Sequence, residues 1–510
     1  MDTTFMISFC LLLIASTIAF LSLGTRQRDA ILKLVPLLYR RRNSVASTPP
    51  RPVALEKKGL ENPPLNYKDV FPPSRRASLA AVPSTIQKKL SISTGSPQER
   101  SSTIVPLASP IEDLASPAFT ATEFSTEEIK ALGDFPDYAA LSGVPLPEPY
   151  SEFIIEKALP RPYRPFRWPY HQTMCRFLPY VIASVLTSIN ASLIALTKME
   201  PNWWLELENT YVARIAQRRG YFKKHGKAVL QYLPGSELAC KELMEMCIQF
   251  LCARYPQYFS LDKENMIFKN GILKIETQLK SMHPLEILLN HVPEDFAITM
   301  RDPMDGFYYF RAGVICSSLG WDVGTKIGLQ LHEIHAPIPD YKEKMRFSMD
   351  RFFAKMPTDK PIQRGSWGLE VDQPLFMPPG DPHELHRLSQ NPELKLSQCH
   401  LRVDWQTLRR LPLSAAIVFN FKGLFTPVIE FRDEPHIPSI CLKILKEGKK
   451  NMMEYKNTWH VEHVVKPLLE EYEKEQVANG LMEDGWTVTT LDESPWFLGW
   501  EEKWHRQQGF

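Results

Sequence analysis

Residues 401–431 read LRVDWQTLRRLPLSAAIVFNFKGLFTPVIEF, and the way charge meets apolar residues here decides the class of fold. Arg402, Asp404, Gln406, Arg409 and Arg410 fall close together, and Ala415 to Phe419 and Leu424 to Phe431 then supply runs rich in Ile, Val and Phe. β-Branched and aromatic residues at this density form strands of a packed sheet. A polar cluster mounted on such a strand is either its solvated end or a device facing a pocket. Composition alone favours the solvated end.

The rest of the chain sets bounds. With 510 residues and 44% apolar content it can bury one large or two ordinary domains, with extensions. Its net charge of +2 balances 60 basic against 58 acidic residues, so no overall field argues for nucleic acid or an acidic substrate. Eight cysteines without a short-spaced framework read as free thiols of a reducing compartment. Many of the 43 prolines precede the first long amphipathic segment, which predicts a disordered tether there.

After the short tail 1–4, the run Phe5 to Gly24 carries no charge and is long enough to span a bilayer as a helix. Arg26, Arg28, Lys33, Arg40, Arg41 and Arg42 follow it, so the positive-inside rule places the chain after the anchor on the cytosolic side of an endomembrane such as the ER. A cleaved signal peptide competes but lacks a basic n-region. Residues 25–146 read as a basic juxtamembrane segment and disordered linker, with Ser44 and Ser78 in settings that suit basophilic kinases. Order is expected from Pro147.

Within the ordered part, WLELENTYVARIAQRRGYFKKHG predicts an amphipathic helix, and Ser236 to Tyr255 a second. Cys240, Cys247 and Cys252 on that second helix match no closed metal pattern and read as buried apolar residues. The uncharged run after Arg176, up to Leu196, is either a buried helix or a second span; its Ser, Thr and Asn content favours the former. Strands and tight turns begin at Asp302, and a helix is expected over Tyr341 to Lys355. Asn457 to Gln476 predicts a final amphipathic helix, followed by the Trp-rich tail 476–510.

No Gly-rich phosphate loop, GxSxG, HExxH or paired CxxC is present, so the chemistry left is that of histidine. His332 and His335, with His383 and His386, have the ligand type for a non-haem metal site. His335 alone, held on a rigid exit by Pro337 and Pro339, could instead ligate a haem iron. Spacing leaves both open beside a structural role for each imidazole.

Four pieces occur in a set order: Lys326-Ile327-Gly328, Ile334-His335-Ala336-Pro337-Ile338-Pro339, Arg364-Gly365-Ser366-Trp367, and Arg402 through Pro412. Together they resemble the haem-dependent oxidative N-demethylase alpha-subunit family, whose fungal members are called HRQ family proteins. The resemblance covers residues 147–475. It implies a PAS-like α+β domain with surrounding helices that holds haem b, and an oxygen-dependent monooxygenase that removes a methyl group from a small amine. His335 falls on the family's histidine and is the implied iron ligand. Asp404 falls on its acidic position and is the implied catalytic residue, for contact with an ammonium group or proton relay. Arg364, Arg402 and Arg409 suit haem propionates, because guanidinium forks match carboxylates. Two departures stand out: Trp405 replaces the family's arginine, and Asp404 its glutamate. Residues 175–194 interrupt the resemblance as an insertion, of the kind a retained intron leaves. Electrons would come from a separate flavin or iron–sulfur reductase, since the chain has no fingerprint of its own for one. The rival within the same fold is a haem or ligand sensor without turnover.

Overall fold

The computed structural model describes residues 124–168, 197–339 and 341–510, and its frame is a sheet whose two faces are covered by different helices. Among those residues the strands are β1 (Thr197–Lys198), β2 (Leu230–Tyr232), β3 (Phe259–Asp262), β4 (Ile267–Asn270), β5 (Ile275–Gln278), β6 (Asp295–Arg301), β7 (Tyr308–Val314), β8 (Ile362–Val371), β9 (Cys399–Arg410) and β10 (Ile417–Pro427). Seven form one sheet in the order β1-β8-β9-β10-β6-β7-β2, with antiparallel neighbours, while β3-β4-β5 make a small separate sheet. The α+β class expected from sequence is the one observed.

The 401–431 stretch becomes the β9–β10 hairpin in the middle of the large sheet, paired from Ile417 opposite Arg410 to Pro427 opposite His400. Its turn is tied down from outside. The buried carboxylate of Glu242 accepts from the backbone N–H groups of Leu413 (2.6 Å) and Ser414 (2.8 Å) and from the Ser414 hydroxyl (2.6 Å). Burial pushes that carboxyl up to about 7, against the pull of these three donors.

Period-two alternation then sorts β9. Arg402, Asp404, Gln406, Leu408 and Arg410 point to one face, and Leu401, Val403, Trp405, Thr407 and Arg409 to the other. The second face carries most of the core. Phe296, Ile298 and Val418 pack there against the helices Tyr211–His225, Glu237–Arg254 and Pro284–His291, and Leu401, Val403 and Trp405 against Ile437–Glu447 and Trp459–Ala478. Burying each such large apolar side chain is worth roughly 1.5–3 kcal/mol. The first face is covered more thinly, by the short helices Val323–Lys326 and Leu331–Ile334 and by Arg346–Lys355, over Tyr308, Phe310, Leu408 and Phe421.

Order begins earlier than Pro147. Helices Thr126–Leu132 and Tyr138–Ser142 fall in the stretch read as linker, and Glu245 anchors them by accepting from the Phe135 N–H (3.1 Å) and the Tyr138 hydroxyl (2.6 Å). The helix expected from Trp204 starts at Tyr211, the one from Ser236 runs Glu237–Arg254, and the one from Tyr341 divides into Tyr341–Lys344 and Arg346–Lys355. Cys240 and Cys247 are buried as expected, and Cys252 is half-buried. The Trp-rich tail is part of the core. Phe497 is buried, and Lys503 joins the buried Arg164–Glu434 pair through Glu434 (3.1 Å).

No helix among the described residues is long and apolar enough to cross a membrane. The expected span Phe5 to Gly24, the linker up to residue 123, Ser44, Ser78 and the insertion 175–194 lie outside the described residues.

Candidate active site on the central sheet

The segment bearing His335 is fixed by a series of local devices. Gly328 adopts a φ of +81°, which residues with a Cβ rarely tolerate, and this lets its N–H reach the Phe310 carbonyl (2.8 Å) on β7. The Leu331–Ile334 helix starts on a capping box in which the Gln330 N–H donates to Glu333 (2.7 Å). Lys326 donates to the Ile334 carbonyl (2.9 Å), so the first family-like piece physically clamps the second. Pro337 and Pro339 then prevent the helix from continuing.

His335 itself sits at the helix C-terminus. Its Nδ1 meets the Leu331 carbonyl at 2.6 Å, and its ring stacks on Tyr341 with centroids 4.8 Å apart and planes 9° apart. The Nδ1 contact with a carbonyl oxygen requires that nitrogen to carry the proton, so Nε2 holds the lone pair. Nε2 has no hydrogen-bond partner among the described residues. Burial, with the positive charges of Arg364 and Lys326 nearby, lowers the imidazole to about 4. At neutral pH the ring is therefore uncharged, with a nitrogen donor directed away from its own helix.

Opposite lies the first face of the sheet. The register places Ser366 opposite Asp404 and Arg364 opposite Gln406, so these four side chains form a polar patch across β8 and β9. All four are partly exposed, whereas Val403, Trp405 and Thr407 between and beside them on β9 are buried. Solvent reaches this patch on the sheet, and Ala297 and Phe419, also partly exposed, extend it with apolar surface.

Arg402 organises this patch from its edge. Its guanidinium donates to Asp404 Oδ1 from Nε (3.1 Å) and Nη2 (2.8 Å), to the Pro374 (2.6 Å) and Leu375 (3.2 Å) carbonyls from Nη1, and to the Ser317 carbonyl from Nη2. Gly423, the residue opposite Asp404 on β10, lies beside it: an added Cβ there would come to 3.2 Å from Leu375 Cδ1 and into ordinary contact with Nη2. Asp404 Oδ2 has no partner among the described residues, and its side chain is 31% exposed. One carboxylate oxygen is thus held and the other offered.

The structure brings His335, Asp404 and Arg364 to one face, with Arg402 as support rather than as an open fork. It does not bring Arg409 there. Arg409 occupies an odd position of β9, lies over the Trp204 ring at 4.0 Å on the opposite face, and is lowered to about 10 by burial. The four histidines of the non-haem alternative also separate. His383 and His386 pair with each other at 4.8 Å, with His383 against the Val371 carbonyl, and among the described residues no three His, Cys, Asp or Glu side chains converge to hold a metal ion. Gln406, Ser366 and Tyr341 were missed as site residues. Alternation from Asp404 pointed to Gln406, but nothing local marked the other two.

The fold and this patch define an α+β protein with a neutral imidazole beside a partly exposed polar and apolar patch of the sheet. Residues 195–466 match the family described as haem-dependent oxidative N-demethylase, alpha subunit-like, and the chain belongs to that family. The match begins immediately after 175–194, the segment read as an insertion. The family's description indicates haem dependence, and the residues here fit such a group: His335 has the tautomer and the uncharged state that iron ligation needs.

Proposed function

We propose that this chain is a haem-dependent oxidoreductase that removes a methyl group from a small amine, with His335 as the axial ligand to a b-type haem. The observation that carries it is the state of His335, whose Nδ1 is committed to the Leu331 carbonyl while Nε2 has no partner among the described residues. The fold reading is PAS-like. It is supported by β6, β7, β8, β9 and β10, which in chain order are arranged 2-1-5-4-3 in the sheet, with the His335 segment crossing between the second and third.

When bound, the haem supplies oxygen activation; the overall change converts an N-methyl amine, O2, two electrons and two protons into the demethylated amine, formaldehyde and water. The residues of the chain do the positioning. Asp404 Oδ2, fixed through Oδ1 by Arg402, accepts a hydrogen bond from the substrate ammonium or holds a proton on the sheet side. Arg364 and Lys326 place positive charge where anionic propionates would lie. Ala297, Phe419 and the ring of Tyr341 contribute apolar walls that exclude water. The two electrons come from a separate reductase. Phe5 to Gly24, uncharged and followed by basic residues, supports a membrane tether with the domain in the cytosol.

The test is amine-dependent oxygen uptake with formaldehyde release by the haem-reconstituted full chain, using a chemical or enzymatic electron donor and a panel of methylated amines. Asp404→Asn should keep the haem spectrum and lose turnover. A protein that binds haem yet consumes no oxygen with any methylated amine is a sensor, and the demethylase proposal then fails.

A further inference from the structure

Trp405, which stands where the family resemblance expects arginine, is the inner end of a line of aromatic rings that leads out of the protein. It stacks on Tyr163 with centroids 3.8 Å apart and planes 13° apart. Tyr163 approaches Trp496 (5.8 Å), Trp496 stacks on Trp500 (4.7 Å, 13°), and Trp500 approaches Trp504 (6.1 Å). Burial falls along the line. Trp405 and Tyr163 are buried, whereas Trp496, Trp500 and Trp504 are partly exposed, beside the exposed Leu498 and Phe510. At the inner end, the neighbours of Trp405 on β9 are Asp404 and Gln406, so its indole is separated from the His335 face only by the sheet itself.

Packing alone explains apolar contact but not the chemistry of the second member. A phenylalanine would fill the Tyr163 site without burying a hydroxyl. Instead the Tyr163 O–H donates to Glu206 Oε2 (3.1 Å), and Glu206 Oε1 accepts from Arg161 Nε (2.5 Å). Burial and the Glu206 charge both push the phenol well above its ordinary range, so it stays protonated at neutral pH, with Glu206 placed to receive the proton. A buried phenol on a carboxylate, between indoles, is the arrangement that proton-coupled oxidation of tyrosine requires.

We propose that Trp405, Tyr163, Trp496, Trp500 and Trp504 form a hole-hopping relay between the His335 face of the sheet and the C-terminal surface. Its use toward iron rests on the haem reading above. The oxidant is an iron centre at the sheet face, and the reductant is a small one-electron donor of the thiol or ascorbate class at the surface. Trp405 gives one electron to the oxidant and is refilled by Tyr163, whose phenolic proton passes to Glu206. Tyr163 regains an electron from Trp496 and its proton from Glu206, and Trp496 is refilled through Trp500 and Trp504 from the surface donor. The net change is one electron moved from donor to oxidant, with no atom transferred. Oxidising equivalents that find no substrate thereby leave the pocket harmlessly.

The relay can be tested without haem. In the full chain, flash oxidation of surface indoles by photoexcited ruthenium tris-bipyridyl with an electron-accepting quencher should give an indolyl signal that converts to a phenoxyl signal. Tyr163→Phe should remove that phenoxyl component, and Trp496→Phe should slow its appearance by an order of magnitude, with circular dichroism confirming the fold. Trp500→Phe, at a partly exposed site, gives the same comparison should Trp496→Phe misfold. An unchanged phenoxyl yield in Tyr163→Phe, or an unchanged rise in both indole variants, overturns the relay. A second arm treats the haem-loaded chain with hydrogen peroxide and maps oxidised residues by peptide mass spectrometry. Oxidation at Trp500 and Trp504 should fall in Trp405→Phe; a Soret band with an unchanged map overturns the connection to the pocket. Absence of any Soret band defeats the haem reading, and the flash experiment still decides the relay.

Discussion

Replacing Arg402 by methionine, and separately Asp404 by asparagine, divides the support of the site from its chemistry. Arg402 is 3% exposed and its five guanidinium contacts end on Asp404 and on the carbonyls of Ser317, Pro374 and Leu375. Methionine matches much of its volume but leaves those carbonyls without a donor. At roughly 1–3 kcal/mol for each buried polar group left unpaired, and with water able to reach Asp404, Arg402→Met should cost about 3–5 kcal/mol. Asp404→Asn keeps an oxygen for Arg402 and loses only charge assistance at a partly exposed position, for a cost of about 1 kcal/mol. Urea denaturation of the two variants, followed by tryptophan fluorescence, measures both values. If Arg402→Met stayed within about 0.5 kcal/mol of the parent, as an ordinary surface substitution does, Arg402 would not be the fixed support of Asp404.

Three further outcomes follow from named contacts. Glu242→Leu removes the acceptor for both turn N–H groups of the β9–β10 hairpin and for the Ser414 hydroxyl, and should lower stability by about 3–5 kcal/mol in the same denaturation assay; an unchanged midpoint would mean the turn holds itself. His291 is lowered to about 4, mainly by burial and further by Arg219, so between pH 6.5 and 4 the unfolded chain takes up a proton there that the folded chain refuses. Stability from this group is complete above pH 6.5 and falls toward pH 4 by about 3 kcal/mol, a loss that His291→Gln should not show in paired unfolding curves. Lys326→Met frees the Ile334 carbonyl beside His335 and should weaken haem affinity about ten- to hundred-fold while leaving ligation intact, as read by haem titration.

Much of this was written in the 401–431 stretch. Its β-rich runs foretold the central hairpin, and alternation within it assigns Asp404 and Gln406 to one face. Proximity along the chain misled where alternation should have decided: Arg402 and Arg409 are seven residues apart, an odd number, and so face opposite ways on a strand. His335 was singled out by the resemblance, not by its spacing, and its stacking partner Tyr341 arrives through a turn that carries no local signal. The saturation of Arg402 could not be read at all, since three of its acceptors are backbone carbonyls from 317 and 374–375, distant segments with no compositional mark. The tail after Ala478 was legible only as Trp-rich, although Trp496, Trp500 and Trp504 recur at the four-residue spacing of the helix that follows, Trp500–Gln507. Contacts of Arg161 with the Trp504 ring, Arg164 with Phe497 and Tyr163 with Trp496 bring that region into the core.

The central claim is that the Nε2 of His335 binds haem iron. Haem titrated into the purified full chain should give a saturable Soret band, and His335→Ala should abolish or shift it, with exogenous imidazole restoring the parent spectrum because the cavity left by the ring admits it. A Soret band of the same position and intensity in His335→Ala, unaffected by imidazole, would contradict the claim.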